Sequence, residues 1–347
     1  MDENKLMEFV HKAVGDVGSL LAGSMVVIGD RLGLYRAMAD GKPITSRTLA
    51  ERTGTSERYV REWLGAQAAQ GFLRYEGEQR YSLPVEHAVA LTDEDSPAFV
   101  AGAFQVGLAA VHSTDRMTEA FRTGEGIGWG EHDHDLYPGT ERFFRPNYLN
   151  YLAQEWIPAL DGFEARLSSG IRVLDLGCGH GASTILMGTT YPASTFLGTD
   201  PHPASVEEAR KRAAETGVSD RVKFDVGTAQ QIDGTYDLVT FFDCLHDMGR
   251  PDLACEAVRD VLAPDGAVLV VEPRAGDTIE ENLNPIGAVY YAASTLLCTP
   301  NAISQNGEAL GAQAGEARIR EVFQSAGFGD FRRIAETPFN LVYAARR

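Results

Sequence analysis

Apolar positions recur at helical spacing from residue 5 to about residue 40: Leu6, Phe9, Val10, Val14, Val17, Leu20 and Leu21, then Val26, Val27, Leu32 and Leu34. The next segment, Thr45-Ser-Arg-Thr-Leu-Ala-Glu-Arg-Thr-Gly54 followed by 55–64, reads as helix, glycine turn, helix, with Thr55 or Ser56 as the second N-cap. Residues 71–75 and 80–83, parted by Glu76-Gly-Glu78, predict a small β-hairpin. The polar run 92–97 marks a boundary, and 98–121 is apolar and helical in character. Residues 123–146, rich in glycine, histidine and aromatics, predict a loop, and 145–160 a further helix carrying Tyr148, Tyr151 and Trp156.

Beyond residue 166 the pattern changes to short apolar runs, each followed by a helix-compatible stretch. The runs are 171–176, 193–200, 222–226, 236–242 and 267–271. A helix over 320–328 and two short strands, 331–334 and 340–344, end the chain. Strands alternating with helices predict an open, Rossmann-like α/β sheet. An insertion, 272–315, separates the fifth strand from the last helix. Its centre, 285–298, is apolar with tyrosines and hydroxyls, which suits a pocket for a mostly apolar substrate and equally suits a core helix. Tyr291, Thr295, Cys298 and Asn301 are the candidate substrate contacts.

Composition narrows the partners. The 347 residues carry a formal net charge of −18, which argues against a nucleic-acid or anionic-membrane partner. Four scattered cysteines, without C-x-x-C spacing, fit a reduced cytoplasmic chain. The N-terminus lacks the basic and apolar regions of a signal peptide, and the apolar patch 20–28 is too short to span a bilayer. His132 and His134 have no further ligand at recognisable spacing, so an exposed loop and no metal is expected there.

The chemistry centres on Ile171-Arg-Val-Leu-Asp-Leu-Gly-Cys-Gly-His-Gly181, an apolar strand that enters a glycine loop and then a helix. Its glycines fall as G-x-G-x-G, with Asp175 two residues ahead, where a dinucleotide fingerprint would read G-x-G-x-x-G. The stretch resembles motif I of class I S-adenosylmethionine (SAM) methyltransferases. An acidic residue at such a loop suits a ligand with a sulfonium and an ammonium group. The resemblance implies cofactor contacts at Asp175, Gly177, Cys178, Gly179 and Gly181, with S-adenosylhomocysteine as product. The second strand ends in Asp200, followed by Pro201; an acid there can accept from both ribose hydroxyls of NAD or SAM alike. After the third strand the family often has Gly-Asp-Ala, the acid facing the adenine amino group. This chain has Gly227-Thr228-Ala229, which puts that contact in doubt. The family's last helix and antiparallel β-hairpin match 320–344.

The fourth strand runs into Asp243-Cys-Leu-His-Asp-Met-Gly-Arg-Pro251. Asp243 and His246 then lie at the carboxyl end of the sheet, where ligands bind in open α/β folds. The segment resembles the L-x-H-D-W stretch of plant-type small-molecule O-methyltransferases, whose histidine is a general base; Met248 replaces the tryptophan. The resemblance makes His246 the candidate base, with Glu272 orienting it, and Tyr148 a candidate lid residue over the cofactor. Methyl transfer is an in-line displacement, and a hydroxyl acceptor must also lose its proton, which suits a histidine. No histidine follows His246, which speaks against a two-histidine metal site.

Residues 44–83 resemble a winged helix-turn-helix. Its arginines are matched by glutamates, so a structural, homodimer-forming domain is expected rather than a DNA-binding one. The expected organisation is a dimerisation domain over 1–97, a helical connector over 98–165 and a SAM-binding domain over 166–347. The expected activity is O-methylation of a small molecule. The alternatives are C- or N-methylation of a small metabolite, or a transcriptional regulator with a ligand-sensing methyltransferase-like domain.

Overall fold

Asp2 starts the first helix. Its carboxylate accepts from the N–H groups of Asn4 and Lys5, and α1 then runs from Glu3 to Arg31 in the computed structural model, which describes residues 1–347. The helix passes through Gly23 and Ser24 without a break. At 29 residues it is long and apolar enough, by length and composition, to cross a membrane; the shortness of the 20–28 patch therefore decides nothing. Only Ala22, Val26, Val27 and Gly29 of α1 are buried, while Phe9 is 66% and Leu21 64% exposed.

The chain forms two bodies, 1–108 with 138–146, and 109–137 with 147–347. Residues 98–165, read from the sequence as one connector, are divided between them. In the first body α2 (Ser46–Thr53) ends at Gly54, whose φ of +64° suits glycine at a helix C-terminus, and α3 (Glu57–Ala69) follows. Thr45 caps α2 by accepting from the N–H of Thr48 at 3.3 Å, whereas Ser56 makes no side-chain cap on α3. Strands β1 (Ile44–Thr45), β2 (Arg74–Gly77) and β3 (Arg80–Ser82) pair in the order β1-β3-β2. Leu49, Val60, Trp63, Leu64 and Leu83 close the core with Val26, Leu34, Tyr35 and Met38. Two arginines of α3 are held by glutamates of the same helix, Arg58 by Glu62 at 2.6 Å and Arg61 by Glu57 at 2.7 Å.

The expected loop over 123–146 is half wrong. A helix spans Leu136–Asn147. Pro138 sits in its first turn, where no N–H partner is needed. Gly139 is there for close approach, since a Cβ would lie 3.1 Å from Gln105 and Val106. Both read as turn residues in the sequence. The expected helix over 98–121 is two helices, Ala101–Val111 and Thr114–Thr123.

The second body is built on a seven-stranded sheet. Its strands are β4 (Arg172–Leu176), β5 (Thr195–Asp200), β6 (Val222–Val226), β7 (Tyr236–Phe242), β8 (Leu262–Pro273), β9 (Asp330–Glu336) and β10 (Asn340–Arg346). Their order is β6-β5-β4-β7-β8-β10-β9. Strands β4 to β8 are parallel, and β10 runs antiparallel to β8 and β9. Helices α4 (Ala182–Thr190), α5 (Pro203–Thr216), α6 (Pro251–Val261) and α7 (Gly315–Ser325) join the strands. The order reverses at β4, so the crevice beyond the ends of β4, β5 and β7 is the place for a ligand.

In the first body the Tyr35 hydroxyl donates to Gln67 Oε1 at 2.5 Å, and Gln67 is fully buried. Tyr35→Phe leaves that oxygen without a donor and should cost about 1–3 kcal/mol. Arg58→Ala, which breaks an exposed pair, should cost no more than about 0.5 kcal/mol. Urea unfolding of both variants checks the contrast.

Candidate active site

The glycine loop after β4 is shaped first by packing. Gly177 has φ +67°, and a Cβ there would lie 2.8 Å from Cys244. Gly181 has φ +78°, and its Cβ would meet the Phe224 ring at 2.6 Å. At Gly179 nothing stands within 4 Å of the position a Cβ would take. The sequence suggested that these glycines admit a ligand against the backbone. Only Gly179 is open in that sense; at the other two the protein's own side chains require glycine. Cys178 is buried, its thiol lying against Gly198 and donating to Gly179 O at 3.9 Å.

Asp175 does not reach into open space. Its Oδ2 accepts from Ser183 at 2.7 Å and Thr184 at 2.6 Å, and its Oδ1 from Thr240 at 2.8 Å. Burial pushes its pKa up to about 6 although the three hydroxyls oppose the rise. The residue fastens α4 and β7 to β4. Asp200 accepts from the N–H groups of Gly179 at 3.0 Å and His202 at 2.9 Å, which leaves further lone pairs on both oxygens. Burial raises its pKa as well. Pro201 is exposed in the bend that follows. Thr228 turns its N–H and hydroxyl to Gln231 Oε1, and Ala229 sinks into the core.

The turn after β7 carries the acid–base groups. Asp243 adopts φ +53°, a left-handed conformation that aspartate takes more readily than most non-glycine residues, while its N–H still donates to Val271 O at 2.8 Å. Its carboxylate accepts from Tyr148 at 3.3 Å and Asn340 at 2.6 Å, and burial, reinforced by Glu272, lifts its pKa well above the usual range. Glu272, 1% exposed at the end of β8, uses both oxygens: Oε1 accepts from Leu245 N–H at 2.9 Å, and Oε2 meets His246 Nδ1 at 2.6 Å. Burial alone would depress the His246 pKa, but Glu272 and Cys298 outweigh it and raise the value well above 6.5. Asp247, beside it, is pushed up by burial to about 7.

The insertion is tied to the backbone of this turn at three positions, 246, 247 and 249. Gly311 N–H donates to His246 O at 3.0 Å, Asn301 Nδ2 to Asp247 O at 3.0 Å, and Gly249 N–H to Gln305 Oε1 at 3.2 Å. Asn301 Oδ1 also accepts from Trp129 N–H at 3.0 Å.

Among the candidate substrate contacts, Cys298 is buried and adds to the rise in the His246 pKa. Asn301 is a buried tie between segments. Tyr291 and Thr295 are exposed, and the Thr295 hydroxyl donates back to Tyr291 O at 2.8 Å. Tyr148 is buried and packs on Trp156 and Phe242. His132 does not lie in an exposed loop: it is 8% exposed and its Nδ1 is 3.0 Å from Ser113 Oγ. His134 stands apart from it on the surface with Asp133 and Asp135.

Three groups were given no role from the sequence. Tyr137 stacks on His202 at 4.5 Å and 9° beside Asp200. Asn340 reaches Asp243 across 97 residues. Asp247 was read only as part of the L-x-H-D-W resemblance and given no role, although burial sets its carboxyl apart.

A seven-stranded sheet with this order, this glycine loop and an acid ending β5 define the class I methyltransferase fold. Residues 167–327 match the methyltransferase-domain family, and 21–93 match the Rv2258c-like winged helix-turn-helix domain. Among relatives, 27-O-demethylrifamycin SV methyltransferase of Amycolatopsis mediterranei is 31% identical over 178 residues, covering 48% of this chain and 63% of its own. The ubiquinone biosynthesis O-methyltransferase of Chelativorans is 27% identical over 165 residues, covering 47% and 60%. The chain thus spans less than two thirds of either relative. Among solved structures, the mitomycin 7-O-methyltransferase MmcR aligns over 99% of this chain and 100% of its own, with TM-score 0.71 and 19% identity. Human N-acetylserotonin methyltransferase, solved with SAM, aligns over 97% of each chain with TM-score 0.69 and 17% identity.

The His246–Glu272 pair makes a pH prediction. The folded pKa of His246 lies above that of an unfolded histidine. The stabilisation is therefore full below about 6.5 and is lost as pH rises through the folded value. Glu272→Gln should cost most stability near pH 6 and progressively less at higher pH. Urea midpoints across a pH series test this, and a cost that grows with pH would contradict it.

Proposed function

We propose that this chain is a SAM-dependent methyltransferase that methylates a hydroxyl of a small-molecule acceptor. One observation carries the reading. Asp175, Asp200, Asp243 and Asp247 gather at the glycine loop and the neighbouring strand ends, all with raised pKas, and no arginine or lysine is a leading influence on any of them. Such a crevice favours a cationic ligand, and SAM carries both a sulfonium and an ammonium group. The relatives named above are methyltransferases that share the sheet, and the human neighbour was solved with that cofactor.

The bound cofactor supplies a methyl group on a positively charged sulfur. In this reading Asp200, with lone pairs left over from its two backbone bonds, would accept from the ribose hydroxyls, and the open space at Gly179 would take the ligand against the backbone. His246 Nε2 takes the proton of the acceptor hydroxyl. Glu272 holds Nδ1 and fixes the ring, and by raising the histidine's pKa it confines the free base to the alkaline side. No observation favours the regulator reading; Arg58 and Arg61 of α3 are already paired with glutamates.

The chain is read as a cytoplasmic homodimer joined through α1. The support is the apolar stripe Leu6, Phe9, Val10, Val14, Val17 and Leu21, exposed along one helix, and four free cysteines. Light scattering should give twice the chain mass. Phe9→Asp with Leu21→Asp should give monomer. A monomeric wild type, or one that partitions onto neutral vesicles, would count against the dimer.

Calorimetry tests the cofactor. A cation draws protons off the raised carboxyls, so SAM affinity should rise with pH through the window set by Asp175, about 6, and Asp247, about 7. S-adenosylhomocysteine, without the sulfonium charge, should show a shallower rise. Asp200→Ala should weaken both ligands. No SAM binding, or a flat pH profile for SAM, would remove the reading.

A further inference from the structure

The turn after β7 uses a left-handed residue to present one carboxylate. Asp243 sits at φ +53°, and such conformations persist where the surroundings over-determine them, often at ligand sites. Here the surroundings come from two distant segments. Tyr148 reaches one carboxylate oxygen at 3.3 Å and Asn340 the other at 2.6 Å. Asn340 is fully buried, and its Nδ2 also donates to Glu272 O at 3.4 Å, so two acceptors fix which end of the amide faces the acid. The residue before it is anchored in turn. Tyr290 lies on the insertion's helix Pro285–Ala293, which runs on into the π-helical segment Ser294–Cys298, and donates to Phe339 O at 2.9 Å. Asn340 Oδ1 has no hydrogen-bond partner, an unmet acceptor beside an acid. Asp243 itself is partly exposed, between buried Phe242 and buried Cys244, so a ligand can reach it. A carboxylate offers about four acceptor sites, and Tyr148 and Asn340 leave the others open.

Its place in the sheet says what it faces. Asp200 ends β5 and Asp243 follows β7, one strand to either side of β4 and its glycine loop. Neighbouring strands lie about 4.8 Å apart, so the ends bearing the two acids are roughly 10 Å apart across that loop. Cys244, next to Asp243, lies 2.8 Å from the place a Gly177 Cβ would take, so the turn abuts the loop directly. A ribose held at Asp200 sends the amino-acid tail of SAM across β4. The six bonds from the ribose ring to the tail's nitrogen, about 1.5 Å each, cover that distance. The tail carries one cation and one anion. A corner made by Asp243, with Glu272 close by and an unmet acceptor on Asn340, suits the cation. We propose that Asp243 receives the ammonium of the cofactor's methionine end, and that Asn340 is a positioning residue that holds the carboxylate for it. This rests on the methyltransferase reading and assigns the two ends of the cofactor to two acids, ribose to Asp200 and amine to Asp243. Tethering the amine also fixes the direction of the sulfonium methyl, which must stand in line with the acceptor.

The test needs no knowledge of the acceptor. Calorimetry on the full chain compares S-adenosylhomocysteine, its 2-oxo acid analogue with a carbonyl in place of the amine, and 5′-methylthioadenosine, which lacks the amino-acid tail. Asp243→Asn keeps the shape of the side chain, and asparagine accepts the same left-handed backbone. It should weaken S-adenosylhomocysteine about 10- to 100-fold, the loss of a charged hydrogen-bond partner, and leave methylthioadenosine unchanged. The wild type should prefer S-adenosylhomocysteine to the oxo acid, and the variant should not. Asn340→Ala should act in the same selective way by a smaller factor; a merely structural loss would weaken both nucleosides alike. Unchanged S-adenosylhomocysteine binding in both variants, or an equal loss for the two nucleosides, overturns the proposal and leaves the methyltransferase reading standing. Should Asp243→Asn bind neither nucleoside, the ratio in Asn340→Ala decides by the same criterion. A wild type that does not bind S-adenosylhomocysteine overturns both.

Discussion

The Glu272 carboxylate is the contact on which the rest of the site depends. It is buried at the end of β8 and spends each oxygen on the turn after β7, one on a backbone N–H and one on an imidazole. A buried charge is tolerated only when it is paired and hydrogen-bonded, so this acid fixes the turn and the turn fixes His246. The insertion adds its ties to the same turn. Asp175 does the equivalent one strand pair away, where three hydroxyls bind α4 and β7 to β4. Each of the two acids thus holds together backbone from separate elements at the edge of the crevice.

Much of the second body was legible along the chain. The strands 222–226 and 236–242 have the ends the apolar runs suggested, because short buried strands between glycine-bearing turns leave a local signal. The order of motifs from Gly177 to Glu272 was legible for the same reason. The first body was legible in type, as helix, turn, helix and wing. The misreadings fell where Pro138 opens a helix and Gly139 lets two helices approach, since a sequence cannot tell a glycine that bends the chain from one that lets two helices meet.

The site's side-chain partnerships were only half legible. His246 and Glu272 were linked through the resemblance, and the geometry joins them. Asn301 looked like a polar anchor in an apolar insertion, yet both ends of its amide are satisfied by main chain. Asn340 with Asp243 and Tyr137 with His202 were not legible at all. Those pairs are 97 and 65 residues apart, and nothing local to either member announces the other.

The π-helical turn at Ser294–Cys298 bears on how such a chain diverges. An α-helix advances by roughly 100° per residue, and a π turn is an α-helix with one residue too many. Deleting a single residue here would restore the ordinary helix and turn the residues before it relative to those after it by about that angle. The strands and the glycine loop would be untouched. A lineage could thus reorient this part of the insertion in one genetic step while keeping the sheet, so that the surface beside the turn after β7 changes by length as readily as by substitution.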